Sequence, residues 1–476
     1  MKKIVLVNPP LTLEERYGTL AKGGTSLPPL GLTILAAVLR QNNIPVSILD
    51  AAVLGLGMEG TVSAILEEKP AYVGFTTVTV SINKAAKIAE RIKNTNPEIK
   101  ILIGGPHITA MPEETIKMFP MFDIGVVGEG EVTTVELLKL LEQNKDFSKL
   151  KGLVFRDGEH AINTGRAELL KDLDSLPMDA LDLLPGFPHS YKSSVHKLGR
   201  LPTTSLITSR GCPYKCRFCD NSMFGTKVRA YSTKRLLEIV KYLQKQYGIK
   251  DIFFNDDNFI MLKSRLVEFC NAVIKEKIDL TWGCYGRIDN ITDESLLLMM
   301  KQAGCWRISF GLESGSQDIL DFYRKNETLA QMEKVIGWTR KVGIKSKGFF
   351  MMGNFMETEE TLQQTIDFAK RIKLDDFHAT FLTPLPGSEI YDMADQYGEF
   401  DRNWDKMSMW FPVFVPKGLK KETLESYRKK AFLEFYVRPS IILSYLTNIR
   451  TVSDIRKISN GISALIRSSV AKTKIL

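Results

Sequence analysis

Over the first 145 residues, short apolar runs alternate with segments whose apolar residues recur every three or four positions. The runs 3–8, 46–49, 72–76, 99–103 and 124–127 read as buried strands. Between them, 30–41 (Leu32, Leu35, Ala36, Leu39), 60–68, 82–94, 113–119 and 132–142 carry helical spacing, the third with a basic outer face. The strand runs end on Asn8-Pro9-Pro10, Asp50, Thr76, Gly104-Gly105-Pro106-His107 and Gly128-Glu129-Gly130-Glu131. Five such strands separated by helices predict an α/β fold with a doubly wound parallel sheet, whose ligands bind beyond the carboxyl ends of the strands.

The pattern breaks between 146 and 200, where Arg156-Asp157-Gly158, Pro177, Pro185-Gly186 and Pro188 mark turns; this stretch is expected to be a small hairpin and a linker. Alternation resumes over 201–416. Candidate strands are 204–208, 251–255, 281–285, 307–311, 347–352 and 376–382, and the helices between them include 233–247, 263–274, 294–303, 327–342 and 359–372. Six strand–helix units are too few for a closed eight-stranded barrel, so an open, partial (β/α)6 barrel is expected. Residues 417–476 read as helical and basic.

Composition changes this picture in two places. The chain has 476 residues, 44% hydrophobic and 25% charged, as expected of a globular protein of two or three domains. Its +9 net charge resides in the last segment, where 13 Lys/Arg face 4 Asp/Glu, leaving a near-neutral body that gives no reason to expect a nucleic-acid partner. That tail also carries Phe432, Phe435, Tyr436, Ile441, Ile442 and Leu443. It is expected to cover the barrel, with peripheral contact to an anionic membrane as the alternative. The apolar run 4–7 is too short for a secretory signal, and no apolar stretch reaches the length of a membrane span. The six cysteines all follow residue 211, and three crowd into eight residues, a pattern of a reduced cytoplasm with one metal site rather than a disulfide framework.

Cys212-Pro-Tyr-Lys-Cys216-Arg-Phe-Cys219 places three thiols on one loop directly after the strand 204–208. A four-iron cluster held by three cysteines keeps one iron open to another ligand. Structural zinc wants four ligands, and no fourth Cys or His lies near; His189, His196 and Cys270 are the nearest. Cys270, Cys284 and Cys305 read as core residues. From about Thr203 to Pro416 the chain resembles the radical S-adenosylmethionine superfamily. The resemblance implies a 4Fe-4S cluster on Cys212, Cys216 and Cys219, with S-adenosylmethionine chelating the open iron, and Phe218 matches the family's aromatic before the last cysteine. It further implies contacts to S-adenosylmethionine from Asp256 and Asp257, from Arg287 after the third strand, from Glu313 and Ser314 after the fourth, and from Met352 on the fifth. Asn255-Asp-Asp-Asn258 departs from the Gly-Gly-Glu of many members, although a carboxylate still suits an ammonium.

The first domain lacks Gly-x-Gly-x-x-Gly after its first strand, which argues against a nicotinamide or flavin site. Together, Asn8-Pro-Pro10, Pro28-Pro-Leu-Gly-Leu32, Leu49-Asp-Ala51, Gly74-Phe-Thr76, Gly104-Gly-Pro-His107 and Gly128-Glu-Gly-Glu131 resemble the cobalamin-binding domains of the anaerobic Mg-protoporphyrin ester cyclase type and of class B radical methyltransferases. The resemblance implies a Rossmann-like cobalamin domain over 1–145, with Asn8, Thr76, Thr77, Thr79, Gly104, Gly105, His107, Gly128, Glu129 and Gly130 toward the cofactor. No Asp-x-His-x-x-Gly is present, so the cobalt is expected to lack a histidine ligand and to sit over the loop 76–81.

The resemblance implies a cytoplasmic, anaerobic enzyme that methylates an unactivated carbon through a 5′-deoxyadenosyl radical and methylcobalamin. Its expected partners are a small-molecule or lipid-like substrate and a one-electron donor such as flavodoxin or ferredoxin. Radical cyclisation or oxidative rearrangement without net methylation is the alternative. A tRNA methylthiotransferase would carry three further cysteines ahead of Cys212, and none is there. A cobalamin or redox sensor without catalysis would not cleave S-adenosylmethionine.

Overall fold

The computed structural model describes residues 1–18, 21, 24–191, 200–439 and 441–443. The expected tail helix beyond residue 443, and with it six of the 13 Lys/Arg considered for membrane contact, lies outside the described residues.

The first sheet is built on strands β1 (Ile4–Asn8), β2 (Val46–Asp50), β3 (Tyr72–Thr76), β4 (Lys100–Gly104) and β5 (Ile124–Val126). These five are parallel in the order β2-β1-β3-β4-β5. Both faces are covered by helices, and Ile4, Val5, Leu6 and Val7 are each at most 2% exposed, which is why β1 reads as an unbroken apolar run. The hairpin β6 (Leu153–Asp157) and β7 (His160–Asn163) adds antiparallel to β5 and completes seven strands. The first domain therefore runs past the expected boundary at 145. A bare β5 edge would present unpaired backbone groups, and the hairpin pairs them.

The second sheet has six parallel strands in one rising order: β8 (Thr203–Leu206), β11 (Asp251–Phe254), β12 (Thr281–Gly286), β13 (Cys305–Glu313), β14 (Lys345–Met352) and β15 (Asp376–Phe381). A separate two-residue ladder of β9 (Ser209–Arg210) and β10 (Arg229–Ala230) follows β8. The helices stand where their apolar period puts them. Thr233–Tyr247 starts on a Ser232 cap, whose Oγ accepts from Arg235 N at 3.1 Å, and stops at Gly248 in a left-handed conformation. The sheet is open, as six strand–helix units require. Cys270, Cys284 and Cys305 are at most 1% exposed within its core. The helix Lys421–Tyr436 packs on the β15 edge, stacking Phe435 on Phe377 at 5.1 Å and pairing Glu434 with Lys370 at 2.6 Å. Among the described residues, no helix is long and apolar enough to cross a membrane.

Candidate functional site

The cysteine loop is an excursion closed at its neck. β9 and β10 pair Arg210 with Arg229. Gly211, at φ +89°, turns where a Cβ would lie 2.5 Å from the Lys227 carbonyl, so only glycine fits. Inside the loop, Cys212 N donates to Gly225 O at 3.3 Å, Cys219 N to Cys216 O at 3.0 Å and Asn221 Nδ2 to Tyr214 O at 3.1 Å. Cys216 is buried, Cys212 half-buried and Cys219 exposed. Among the described residues, no three Cys, His, Asp or Glu side chains close around a single metal ion.

Cys216 sits among buried charges. Arg287 Nη1 donates to its Sγ at 3.6 Å, and the same guanidinium lies 3.8 Å over the Tyr214 ring. Burial pushes the Cys216 thiol up, while the charges of Lys325 and Arg287 pull it down. These two cations suit the loop to thiolate ligands, so the donor set fits an iron–sulfur cluster. Lys325, which the motif did not reveal, is held by Glu313 at 3.4 Å and Glu327 at 3.7 Å.

The structure redistributes the residues expected to meet S-adenosylmethionine. Arg287 spends its donors beneath the loop: two reach Asp289 at 3.1 Å and another the Lys325 carbonyl, which leaves it to brace Cys216 rather than reach outward. Asp256 is fully buried and accepts from Thr208 Oγ1 at 2.6 Å, Ser209 Oγ at 2.7 Å and Arg265 at 3.3 Å, tying the start of β9 and the residue before it to the helix Lys263–Lys275. Asp257 accepts no hydrogen bond among the described residues, and its charge bears on Cys212 and Cys219. One residue of register at a strand end thus separates a structural carboxylate from one turned to the cluster loop. Glu313, at φ +64° after a bulge in β13, faces Lys325. Ser314 is fully buried, its Oγ accepting from Ser316 N at 3.1 Å, and Met352 is fully buried in the core. Phe218 packs edge-on against Tyr323 at 5.6 Å.

Along the face of the first sheet, from Ile4 and Leu6 of β1 to the carboxyl ends of β3 and β4, lies a cavity of about 290 Å³ that is bordered by the neck of the cysteine loop. Thr76, Gly104, Gly105, Gly128, Glu129 and Gly130 all line it, as the sequence leads one to expect. A Cβ on Gly31, Gly104 or Gly128 would meet no atom within 4 Å, so these glycines leave open a cradle that side chains would fill. This glycine-walled, largely apolar space fits part of a bulky cofactor such as cobalamin. Gly105, at φ +100°, has no such freedom, since a Cβ would lie 2.7 Å from Thr77 O.

Four expected contacts turn elsewhere. Asn8 donates to Asp50 at 2.8 Å, and buried Thr77 donates to Gly104 O through its backbone at 2.9 Å. Thr79 bonds the ring of His107 at 3.3 Å, and His107 is 1% exposed beneath Trp404, with ring centroids 4.6 Å apart. His107 lies not in an open turn but in the helix Pro106–Ala110, of which Pro106 lines the cavity and His107 does not. Burial pushes its imidazole down to about 4. Glu129, although on the wall, is claimed by the second domain: Arg210 lies 3.0 Å away and Arg229 2.8 Å, while Glu131 takes the other end of Arg210 at 2.6 Å. The cavity also gains Asp179 from the linker, Met223 and Phe224 from the cysteine loop, and Tyr231. None of these belongs to a local motif, so no sequence spacing could have singled them out.

A doubly wound domain whose ligand cavity abuts a three-cysteine loop on an open barrel defines an enzyme class that pairs a corrinoid with an iron–sulfur cluster. Comparison with known proteins agrees: the B12 binding domain model matches residues 18–138 and the Radical SAM superfamily model residues 206–369. The chain is 33% identical over 443 residues to an uncharacterized methyltransferase of Pyrococcus horikoshii, covering 93% of this chain and 94% of that one. It is 28% identical over 425 residues to the anaerobic magnesium-protoporphyrin IX monomethyl ester cyclase of Rubrivivax gelatinosus, covering 86% and 75%. Its fold matches that of the cobalamin-dependent S-adenosylmethionine radical enzyme OxsB, solved with aqua-cobalamin and S-adenosylmethionine bound, at a TM-score of 0.75 and 18% identity over 98% of this chain and 72% of that one. The chain belongs to the cobalamin-binding radical S-adenosylmethionine enzymes, and its cofactors are a 4Fe-4S cluster, S-adenosylmethionine and cobalamin.

Proposed function

We propose that this enzyme transfers a methyl group to an unactivated carbon of a small molecule. When bound, the cluster supplies the electron that cleaves S-adenosylmethionine, and cobalamin supplies the methyl group. The observation that carries the reading is the shared neck: Arg210 both lines the glycine-walled cavity and closes the cysteine loop, so the two cofactor sites adjoin.

In this reading Cys212, Cys216 and Cys219 hold the cluster, and Arg287 and Lys325 compensate the charge of Cys216. Asp257 receives the ammonium of S-adenosylmethionine, Glu313 and Phe218 bound the same pocket, and Gly104, Gly128 and Gly130 admit cobalamin. Substrate meets the inner face of the barrel, where Tyr285, Phe349 and His378 are half-buried and their rings run in series at 6.0 and 5.1 Å. The chain's part is to hold three reactants in line and exclude water. A one-electron donor such as flavodoxin or ferredoxin, and residence in the cytoplasm, complete the proposal.

The test is anaerobic turnover of a cell extract with methyl-deuterated S-adenosylmethionine. Methylation yields a deuterated product together with S-adenosylhomocysteine and 5′-deoxyadenosine. Cyclisation, the chemistry in the name of the Rubrivivax relative, would give 5′-deoxyadenosine with no label in the product, and that result would replace this reading.

A further inference from the structure

The cavity between the two domains is apolar along much of its wall, with Leu6, Leu32 and Leu102 from the first domain, and among its polar lining residues Asp179, Arg210 and Tyr231 lie near enough for their charges to act on one another. At about 290 Å³ it stands at the small end of ligand pockets, too small for a corrin macrocycle and suited to a flat two-ring group. Cobalamin carries such a group, the heterocyclic base that ends its nucleotide tail. With that base off the metal, one of its ring nitrogens is left bare. A bare ring nitrogen taken into an apolar cavity needs a hydrogen-bond donor, because an unsatisfied buried acceptor costs the full desolvation of the group.

We propose that Asp179 is the residue that selects the tail base of the corrinoid, its carboxyl group sharing one proton with the bare ring nitrogen of an azole base seated in the cavity. This rests on cobalamin occupying the first domain. The surroundings favour a carboxyl group that keeps its proton. Arg210, the nearest cation, is already bound to Glu129 at 3.0 Å and Glu131 at 2.6 Å. Burial pushes Asp179 up to about 7; the charge of Arg210, a hydrogen bond with Thr33 and the charge of Arg235 oppose this, while the charge of Glu131 adds to it. Tyr231 also lines the cavity near Asp179, and burial pushes its phenol up. Asp179 comes from the linker between the domains, which is tied to the first domain by Ala180 N donating to Thr33 O at 3.1 Å.

The proposal makes base selection depend on pH. Below about 7 Asp179 carries the shared proton already. Above it, binding an azole base must take up one proton, so affinity falls about tenfold per pH unit. A phenolic tail base has no ring nitrogen and feels neither effect. The experiment is equilibrium dialysis of cobalamin and of p-cresolylcobamide against the full chain with its cluster, from pH 6 to 9, for wild type, Asp179→Asn, Asp179→Leu and Tyr231→Phe. Expected are a preference of at least tenfold for cobalamin at pH 6, lost toward pH 9; a pH-independent preference in Asp179→Asn, whose amide donates at every pH; and no preference in Asp179→Leu. Equal wild-type affinities at pH 6, or a preference abolished by Tyr231→Phe instead, would overturn the assignment without any variant of Asp179 having to fold. If wild type bound neither corrinoid at any pH, the corrinoid reading itself would fall, a different failure from the first two.

Discussion

The guanidinium of Arg287 stands 3.6 Å from the sulfur of Cys216, and its other donors go to Asp289 and to the Lys325 carbonyl. It is stacked on Tyr214 and forked onto Asp289, a geometry that needs a planar, five-donor cation. Arg287→Lys keeps the charge and loses the fork. The expected outcome is a cluster that still assembles, with near-normal iron content, but whose midpoint potential shifts downward, because hydrogen bonds to cluster sulfurs raise it. Potentiometric titration followed by electron paramagnetic resonance reads this directly; an unchanged potential would leave Arg287 a purely structural residue.

Cys216→Ala should abolish the cluster's absorption and the reductive cleavage of S-adenosylmethionine while leaving cobalamin binding intact. Cys216 is not among the residues of the glycine-walled cavity. Iron content, 5′-deoxyadenosine formation and cobalamin binding, measured on one preparation, separate the two sites.

Gly104→Leu places a side chain into a space where the chain itself offers no atom within 4 Å of the new Cβ. Thermal stability without cofactors should change little. Overpacking against a bound ligand costs about 1–3 kcal/mol, so cobalamin affinity should fall roughly ten- to hundredfold, as read by equilibrium dialysis. Undiminished binding would move cobalamin away from the carboxyl end of β4.

Glu129 is the residue whose role changed most between sequence and structure. Two arginines of the second domain bind it in a buried site. Glu129→Leu leaves these cations short of an anion, a situation that costs about 3–5 kcal/mol. The midpoint of denaturant unfolding should fall accordingly. A combined Glu129→Leu/Arg210→Met variant should recover part of that loss, and simple additivity would show that the pair does not act as a unit.

His107 gives the fold an acid sensitivity. Its pKa is about 4 when buried, below the ordinary value of 6.5. Above pH 6.5 both folded and unfolded chains hold it neutral, and it contributes nothing to pH dependence. As pH falls from 6.5 toward 4 the unfolded chain takes up the proton first, so stability drops, by an amount on the order of 3 kcal/mol at most. Urea unfolding at pH 7.5 and pH 5 should show a smaller difference in His107→Phe than in wild type.

The strands and helices were legible because burial in parallel sheets leaves a local trace: β1, β3 and β11 are continuous apolar runs, and the helix Thr233–Tyr247 begins and ends at its cap residues. Cys212, Cys216 and Cys219 were legible for the same reason, since one loop carries them all. What stayed hidden is long-range. Arg210 meets Glu129 from 81 residues away and Arg287 meets Cys216 from 71, and no periodicity marks such pairs. Asp256 and Asp257 show the finest limit: adjacent and chemically identical in the sequence, they differ only in which side of a strand end they leave. The hairpin β6–β7 was visible as a hairpin, but its pairing with β5 answers a need of the sheet edge that no feature of its own residues announces.

The two-residue ladder of β9 and β10 sets Arg210 directly across from Arg229, and both arginines reach the same carboxylate of the first domain. The strap that gathers the thiols of Cys212, Cys216 and Cys219 is therefore also a rivet joining the halves of the molecule. Losing that carboxylate would therefore loosen two things at once, the closure of the cysteine loop and the contact between the domains.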